Sequence, residues 1–280
     1  ATALVFIGTL APLIAEWIDG SKISIGPPWF EIAFTIPMLP LLFLIGFGMH
    51  VAWRGQDGKS LINALRIPMI IGVVLGVVVP LMFYGRVGLL LAIGSIAGVW
   101  LIASALLPII RGVRRKAGAA KTPRAVIGMS LAHLGVGVFT LGVIIVSAFN
   151  VESDQALSPG NSIEVAGFEF EMRDLRNVQG PNYTAVEAVI EIRKDGEFVG
   201  SLRPQKRQYL VQKSPMTEAD IRASWNKDLF VALGDQLSAD TWSVRVQYKP
   251  LIRWIWLGAL IMALGGAIAA SDRRYREKAA

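Results

Sequence analysis

Between Ala125 and Phe149 the sequence runs for 25 residues without a formal charge. A helix needs about 20 apolar residues to cross a bilayer core, so this stretch fits a membrane span. One ionisable side chain, His133, lies within it. Gly128, Gly135 and Gly142 recur every seven residues and line up as a small-residue seam on which a neighbouring helix can approach closely. His133 stands two residues before Gly135, roughly 200° around the helix, on a face with Met129, Ser130, Gly137 and Thr140. An imidazole in that setting is a metal or haem ligand, a proton relay, or a hydrogen-bonded packing residue.

The rest of the chain has the same character. Hydrophobic residues make up 53% of 280, and mean hydropathy is +0.50. Apolar runs at Ala1–Ile14, Ile32–Trp53, Ile67–Tyr84, Val87–Ile110 and Leu251–Ala270 join the central one. The expected class is a polytopic α-helical membrane protein of about six spans with an inserted extramembrane β-rich domain. It divides into helices and short loops over 1–149, the β-rich domain over 150–249, and a final helix with a basic tail over 250–280. The first run is short, contains Pro12, and begins without an initiator Met or basic leader. It reads as a piece of a longer protein or one half of a split one.

Charge distribution orients the spans. The loops at 54–66 (Arg54, Lys59, Arg66) and 111–124 (Arg111, Arg114, Arg115, Lys116, Lys121, Arg124) and the tail at 272–278 are rich in Arg and Lys. They fall on one face, which is therefore cytoplasmic. The loop at 18–31, the turn holding Arg86 and the domain at 150–249 share the other face. That domain has 15 acids and 12 bases, so the net charge of +7 belongs to the cytoplasmic segments and nucleic acid is not needed to explain it. Trp17, Tyr84, Trp254 and Trp256 fit an outer aromatic belt and Trp53 an inner one.

Within the domain, Tyr183–Arg193 alternates apolar and polar residues, Lys194-Asp195-Gly196-Glu197 supplies a turn, and Phe198–Leu202 returns as a hairpin. Further strands are expected at 162–165, 168–172, 208–212, 229–233 and 242–248, in a small barrel or sandwich. Met216–Trp225 reads as a helix with Thr217 as its N-cap. The domain has no histidine and the chain no cysteine, so thiolate chemistry and disulfides are excluded. No serine-centred triad or phosphate-binding loop appears.

Several stretches, in order, resemble one family. They are Gly8-Thr-Leu-Ala-Pro-Leu13, Ser21-Lys-Ile-Ser-Ile-Gly-Pro-Pro-Trp-Phe30, Ala132-His-Leu-Gly135, Gly180-Pro-Asn-Tyr183, Met216-Thr-Glu-Ala219, Asp228-Leu-Phe-Val-Ala-Leu-Gly234, Trp254-Ile-Trp-Leu-Gly258 and Asp272-Arg-Arg-Tyr-Arg276. Together they resemble the C-terminal part of CcmF, the membrane haem lyase component of cytochrome c maturation, with nitrite-reductase-specific paralogues close behind. The resemblance implies a b-type haem in the bacterial inner membrane, and haem handled in transit from the chaperone CcmE. That haem is joined to Cys-x-x-Cys-His motifs of apocytochrome c on the periplasmic side, with CcmH/CcmI-type partners. His133 matches a transmembrane histidine that ligates the b haem. The second ligand, the periplasmic histidines and the Trp-rich loop belong to the family's N-terminal part and are not matched here.

Other candidates have weaker warrants. Trp100, mid-span, could line a haem pocket or simply pack. Trp29 and Phe30, behind Pro27-Pro28, form a rigid aromatic turn where haem could dock or the chain re-enters the membrane. Arg86, Arg253 and Lys22 face the same side, as propionate partners or as interfacial anchors. His50, near the cytoplasmic end of its span, reads as an interfacial histidine without a ligand role. The competing function is a non-catalytic scaffold or permease-like assembly factor, with His133 relaying protons or packing.

Overall fold

The computed structural model describes residues 1–51, 55, 57–114, 122–211 and 213–272, with backbone alone at 113 and 114. Trp53, Arg54, Gln212, the bases at 115–121 and those of the tail beyond Asp272 lie outside the described residues. Two compact units form, one from 1–144 with the segment from 255 onward, the other from Ile145 to Trp254.

Among the described residues six helices are long and apolar enough to cross a membrane: α1 (Thr2–Asp19), α2 (Pro27–Gly48), α3 (Gly58–Tyr84), α4 (Leu89–Arg114), α5 (Arg124–Phe149) and α6 (Ile252–Ala270). Several extend past their apolar runs. Nine residues of the expected basic loop, including Lys59 and Arg66, form the first turns of α3, where the Asp57 side chain accepts from the Lys59 N–H at 3.3 Å. The expected Pro-Pro turn at Trp29–Phe30 is instead the start of α2. Proline suits a first helical position because its φ is preset and no N–H is left unsatisfied.

Small residues set how close the helices come. A Cβ on Gly76 of α3 would meet the backbone of Ile96 in α4, and one on Gly137 of α5 would lie 2.8 Å from the Gly98 carbonyl oxygen of α4. On its other side α5 meets α6 in antiparallel register. A Cβ on Gly135 would lie 2.7 Å from the Gly258 oxygen, and one on Gly265 would lie 2.7 Å from the Gly128 oxygen. The seven-residue spacing in α5 is thus matched by seven in α6. The N-terminus of α5 is closed by Asp272, buried just past α6, whose carboxylate accepts from the Ala125 N–H at 2.8 Å.

The second unit is a two-sheet sandwich. One sheet has the order β1-β10-β9-β8, from Val151–Leu157, Trp242–Pro250, Lys227–Gln236 and Asp220–Ala223. The other runs β2-β3-β4-β6-β7, from Ser162–Val165, Phe168–Gln179, Tyr183–Lys194, Gln205–Tyr209 and Pro215–Glu218, with β5 (Glu197–Leu202) also on β4. Alternation along β4, β9 and β10 delivers Ile190, Ile192, Val231, Leu233, Val244 and Val246 to a fully buried core around Phe170 and Met172. In the β4–β5 turn Asp195 and Gly196 both have positive φ, 50° and 82°, as a tight hairpin of this twist requires.

The expected helix over Met216–Trp225 is absent. Its residues form edge strands of both sheets, β7 on β6 and β8 on β9. Thr217 does not cap: its hydroxyl donates to the Leu233 carbonyl and accepts from the Lys206 ammonium, both at 3.2 Å. Met216, Ile221 and Trp225 are all exposed, so no apolar face was available to hold a helix down, whereas each sheet offered an open edge. Strand β1 gave no apolar alternation because only Leu157 of it is buried; its register with β10 holds it.

Gly258→Ala and Gly265→Ala are each expected to destabilise the detergent-solubilised protein by about 1–3 kcal/mol through forced separation of α5 and α6. Gly266→Ala, at a position with nothing within 4 Å, is the matched control and should be neutral or slightly stabilising. Thermal unfolding of the three variants side by side reads this directly.

Candidate functional site

Packing on two sides fixes the rotation of α5 and thereby the aim of His133. Gly128 and Gly135 are held against α6, while Gly98 and Ile102 of α4 close on Gly137. Gly137 is therefore part of the α4 contact rather than of an open histidine face. His133 is half-buried, and its Nδ1 lies 2.7 Å from the Met129 carbonyl oxygen one turn earlier. A carbonyl can only accept, so Nδ1 carries the proton and the Nε2 lone pair is left outward. No hydrogen bond to Nε2 occurs among the described residues. In the neutral ring this arrangement would leave Nε2 available to a metal.

Of the polar neighbours on this helix, Thr140 is satisfied by its own backbone, donating to the Val136 carbonyl at 2.8 Å. Ser130 is fully buried and its hydroxyl has no partner, an orphaned polar atom one turn from the histidine. Val136, three residues beyond His133, packs on the cluster of Leu65, Trp100 and Leu101. Among the described residues no three His, Asp or Glu side chains gather as a bare-ion site. What His133 offers here is a single nitrogen, a donor that would fit a metal bringing its other ligands with it.

The chain's other histidine is engaged with α4. His50, just past α2, is half-buried, with Nε2 at 3.0 Å from the Ser104 carbonyl oxygen and 3.1 Å from its hydroxyl. Ser104 in turn donates to the Gly46 carbonyl at 2.9 Å. His50 lies within electrostatic reach of His133, though 83 residues separate them along the chain. Its Nε2 is committed to α4, which makes His50 a clasp between α2 and α4. Only the meeting of α2, α4 and α5 reveals this pairing; no spacing in the sequence carries it.

Trp100 is 2% exposed and wedged between helices. Its indole lies over Gly46 of α2, where any Cβ would collide, and its N–H donates to the Phe43 carbonyl at 3.2 Å. Its backbone backs onto Gly72 of α3. With Phe47 centred 5.1 Å away, Trp100 is enclosed by protein on all these sides. Trp29 and Phe30 sit at the opposite end of α2 from His50, about 30 Å along the helix axis. Trp29 folds back over Gly8 of α1 and donates to the Leu4 carbonyl at 3.4 Å, a long bond, leaving its ring 42% exposed. The aromatic pair and the histidines are therefore not brought together.

In the sandwich, Arg207 on β6 stacks 4.4 Å from the Tyr183 ring centre and pairs with Glu218 on β7 at 3.6 Å. Tyr209 meets Tyr183 edge-on at 5.7 Å. A Cβ on Gly180 would run into the Tyr183 ring, and the Gly180 N–H donates to the Tyr183 carbonyl at 2.8 Å. Gly180-Pro-Asn-Tyr183 and Met216-Thr-Glu218 are thus two walls of one arginine clasp.

Comparison with known proteins bears on the family and the fold. Residues 148–250 match the family described as the CcmF C-terminal beta-sandwich. The cytochrome c-type biogenesis protein CcmF of Pseudomonas aeruginosa is 36% identical over 281 residues, covering 99% of this chain and 43% of that protein. CcmF of Escherichia coli K12 is also 36% identical, over 99% of this chain and 42% of its own length. This chain is similar to CcmF proteins over 99% of its length. It spans less than half the length of these relatives, as it does of a solved structure titled cytochrome c heme lyase CcmF. That structure has the same fold, with a TM-score of 0.74 over 96% of this chain and 43% of that one, at 22% identity. A more distant relative, the NrfE protein of Haemophilus influenzae, is 29% identical. Within the CcmF-like Ala132-His-Leu-Gly135 stretch, Ala132 and Gly135 serve the α6 contact while His133 turns away from it.

The histidine tautomer is open to direct measurement. In protein carrying ¹⁵N-histidine, the His133 Nδ1 signal is expected at a protonated shift and Nε2 at an unprotonated one. His50, donating through Nε2 to Ser104, should show the reverse pattern. An Nε2-protonated His133 would remove the ligand geometry.

Proposed function

We propose that this chain is membrane machinery of cytochrome c maturation: the C-terminal portion of a CcmF-type haem lyase, which binds b-type haem within the membrane. One observation carries the assignment to His133: its Nδ1–H is spent on the Met129 carbonyl, leaving Nε2 as a free, oriented donor in a run, 125–149, that holds no other ionisable side chain. Bound there, haem iron supplies reversible one-electron chemistry. The chain's own residues hold the ligand in place. Packing of α5 on α4 and α6 fixes the backbone, and the Met129 carbonyl fixes the ring. The second axial ligand is assigned to the N-terminal portion of the same family.

In this reading the protein lies in the bacterial inner membrane with both ends of this segment cytoplasmic and residues 150–249 periplasmic. Support comes from the Arg and Lys excess of the segments assigned to the cytoplasm. The functional partners are the haem chaperone CcmE, CcmH/CcmI-type apocytochrome-handling subunits and apocytochrome c. The periplasmic sandwich is the docking element, and the product is haem attached to apocytochrome c.

The test is the visible spectrum of the detergent-solubilised, full-length complex, oxidised and dithionite-reduced. The intact protein should show a b-type spectrum that His133→Ala loses or severely weakens. His50→Ala should keep it. A spectrum unchanged in His133→Ala would remove His133 as a ligand and favour a scaffold role.

A further inference from the structure

The two ends of the sandwich differ. One rim carries the last turn of α5 and the first turn of α6, because β1 starts at Val151 opposite Tyr248 and β10 runs directly into α6. Both joining helices are membrane spans, so this rim is the one beside the bilayer. The β2–β3 and β4–β5 turns and the segment between β8 and β9 end here as well. By strand alternation Lys194 and Lys227 stand at inward-facing positions of β4 and β9, where the core would continue if the strands were longer. Each ammonium lies over the same Phe168 ring, at 5.4 Å for Lys194 and 4.8 Å for Lys227. Phe168 stacks in turn on Tyr248 of the other sheet, at 6.2 Å.

Two ammonium groups sharing one ring repel each other, and neither forms an ion pair among the described residues. Acids are near at hand. Asp195 and Glu197 flank Lys194 in the chain without pairing to it, and Asp228, next to Lys227, is taken by Arg253 at 3.0 Å. Burial, with the Lys194 charge added, holds the Lys227 ammonium below the ordinary lysine range. Beside the lysines the rim is built to meet an interface. Trp225 is 68% exposed and lies 5.4 Å from Trp254 at the root of α6. The Leu251 N–H donates to the Asn226 carbonyl at 3.0 Å, which ties the Trp225 segment to that root. An exposed tryptophan at the head of a span is an interfacial anchor, and unneutralised lysines beside it meet the layer of lipid phosphates.

We propose that Lys194 and Lys227 together bind the phosphate of an anionic lipid headgroup at the membrane-proximal rim of the sandwich, with Trp225 seated in the same interface. Both ammonium groups are gathered over Phe168 at the end of the core, which sets them side by side for one phosphate. The site is separate from His133 and does not depend on haem binding.

The full chain in detergent, with its lysines reductively ¹³C-methylated so that they keep their charge, can be followed by NMR. Lys194→Arg and Lys227→Arg assign the two resonances. Titration with a short-chain phosphatidylglycerol should shift both, and the Lys227 titration should move up in pH. Phosphatidylcholine should require a concentration roughly fivefold higher or more, and Lys194→Gln should weaken the phosphatidylglycerol response of Lys227 by roughly fivefold, the increment expected for one interfacial lysine. Inorganic phosphate at equal concentration should leave both unmoved. A response to phosphate equal to that for phosphatidylglycerol would mean a free-anion site and overturn the lipid assignment. Equal responses to the two lipids, or none, would overturn the site and leave the lysines as caps of the core.

Discussion

Close approach of helix backbones is the constraint on which the membrane unit depends. Hydrocarbon gives no hydrophobic drive for helices to associate, so contact has to come from van der Waals packing, which small residues permit. The paired glycines of α5 and α6, and Gly98 against Gly137, bring carbonyls within 3 Å of where a side chain would begin. These contacts leave α5 a single rotation. A methyl group at the wrong position would turn or displace the helix, and His133 would turn with it. The histidine's aim is therefore a consequence of glycines one or two turns away.

Four polar groups inside this unit follow a consistent rule: they are spent locally. Thr140 and His133 each bond the carbonyl four residues earlier, Ser104 bonds Gly46, and Trp100 bonds Phe43. In an apolar medium an unmatched donor costs several kcal/mol, so these four find a backbone oxygen, while the Ser95 and Ser130 hydroxyls are buried without a partner among the described residues. His133 differs from the others in having a second nitrogen. One satisfies the membrane's demand and the other stays available for chemistry. The sandwich solves a different problem with ordinary means. Water surrounds its outer faces, ion pairs lie on its surface, and its core is a double layer of alternating aliphatic side chains.

Much of this was legible in the residues. Spans announce themselves by uncharged length, and strands such as β4 by strict alternation, since both are local patterns. The Gly128–Gly135 seam was visible for the same reason. The segment 216–225 misled because its helix signals, a Thr followed by acids, are weak preferences that an open sheet edge overrides. The start of α2 was hidden because Pro-Pro serves equally to make a turn or to begin a helix. The pairing of His50 with Ser104, the closure of α5 by Asp272 and the Arg207 clasp were invisible, because each joins residues remote in sequence.

The sequence by itself determined that this chain lives in a membrane, how many apolar runs are long enough to span it, that a β-rich domain interrupts them, and that His133 is the one ionisable group within the run 125–149. Those facts depend on composition and on periods of two and 3.6, which any short window contains. Tertiary structure decided which nitrogen of His133 is free, that Trp100 is a wedge between helices, and that two lysines 33 residues apart crown one phenylalanine. Each of these depends on which faces meet, and that is set by packing across elements that no local pattern encodes.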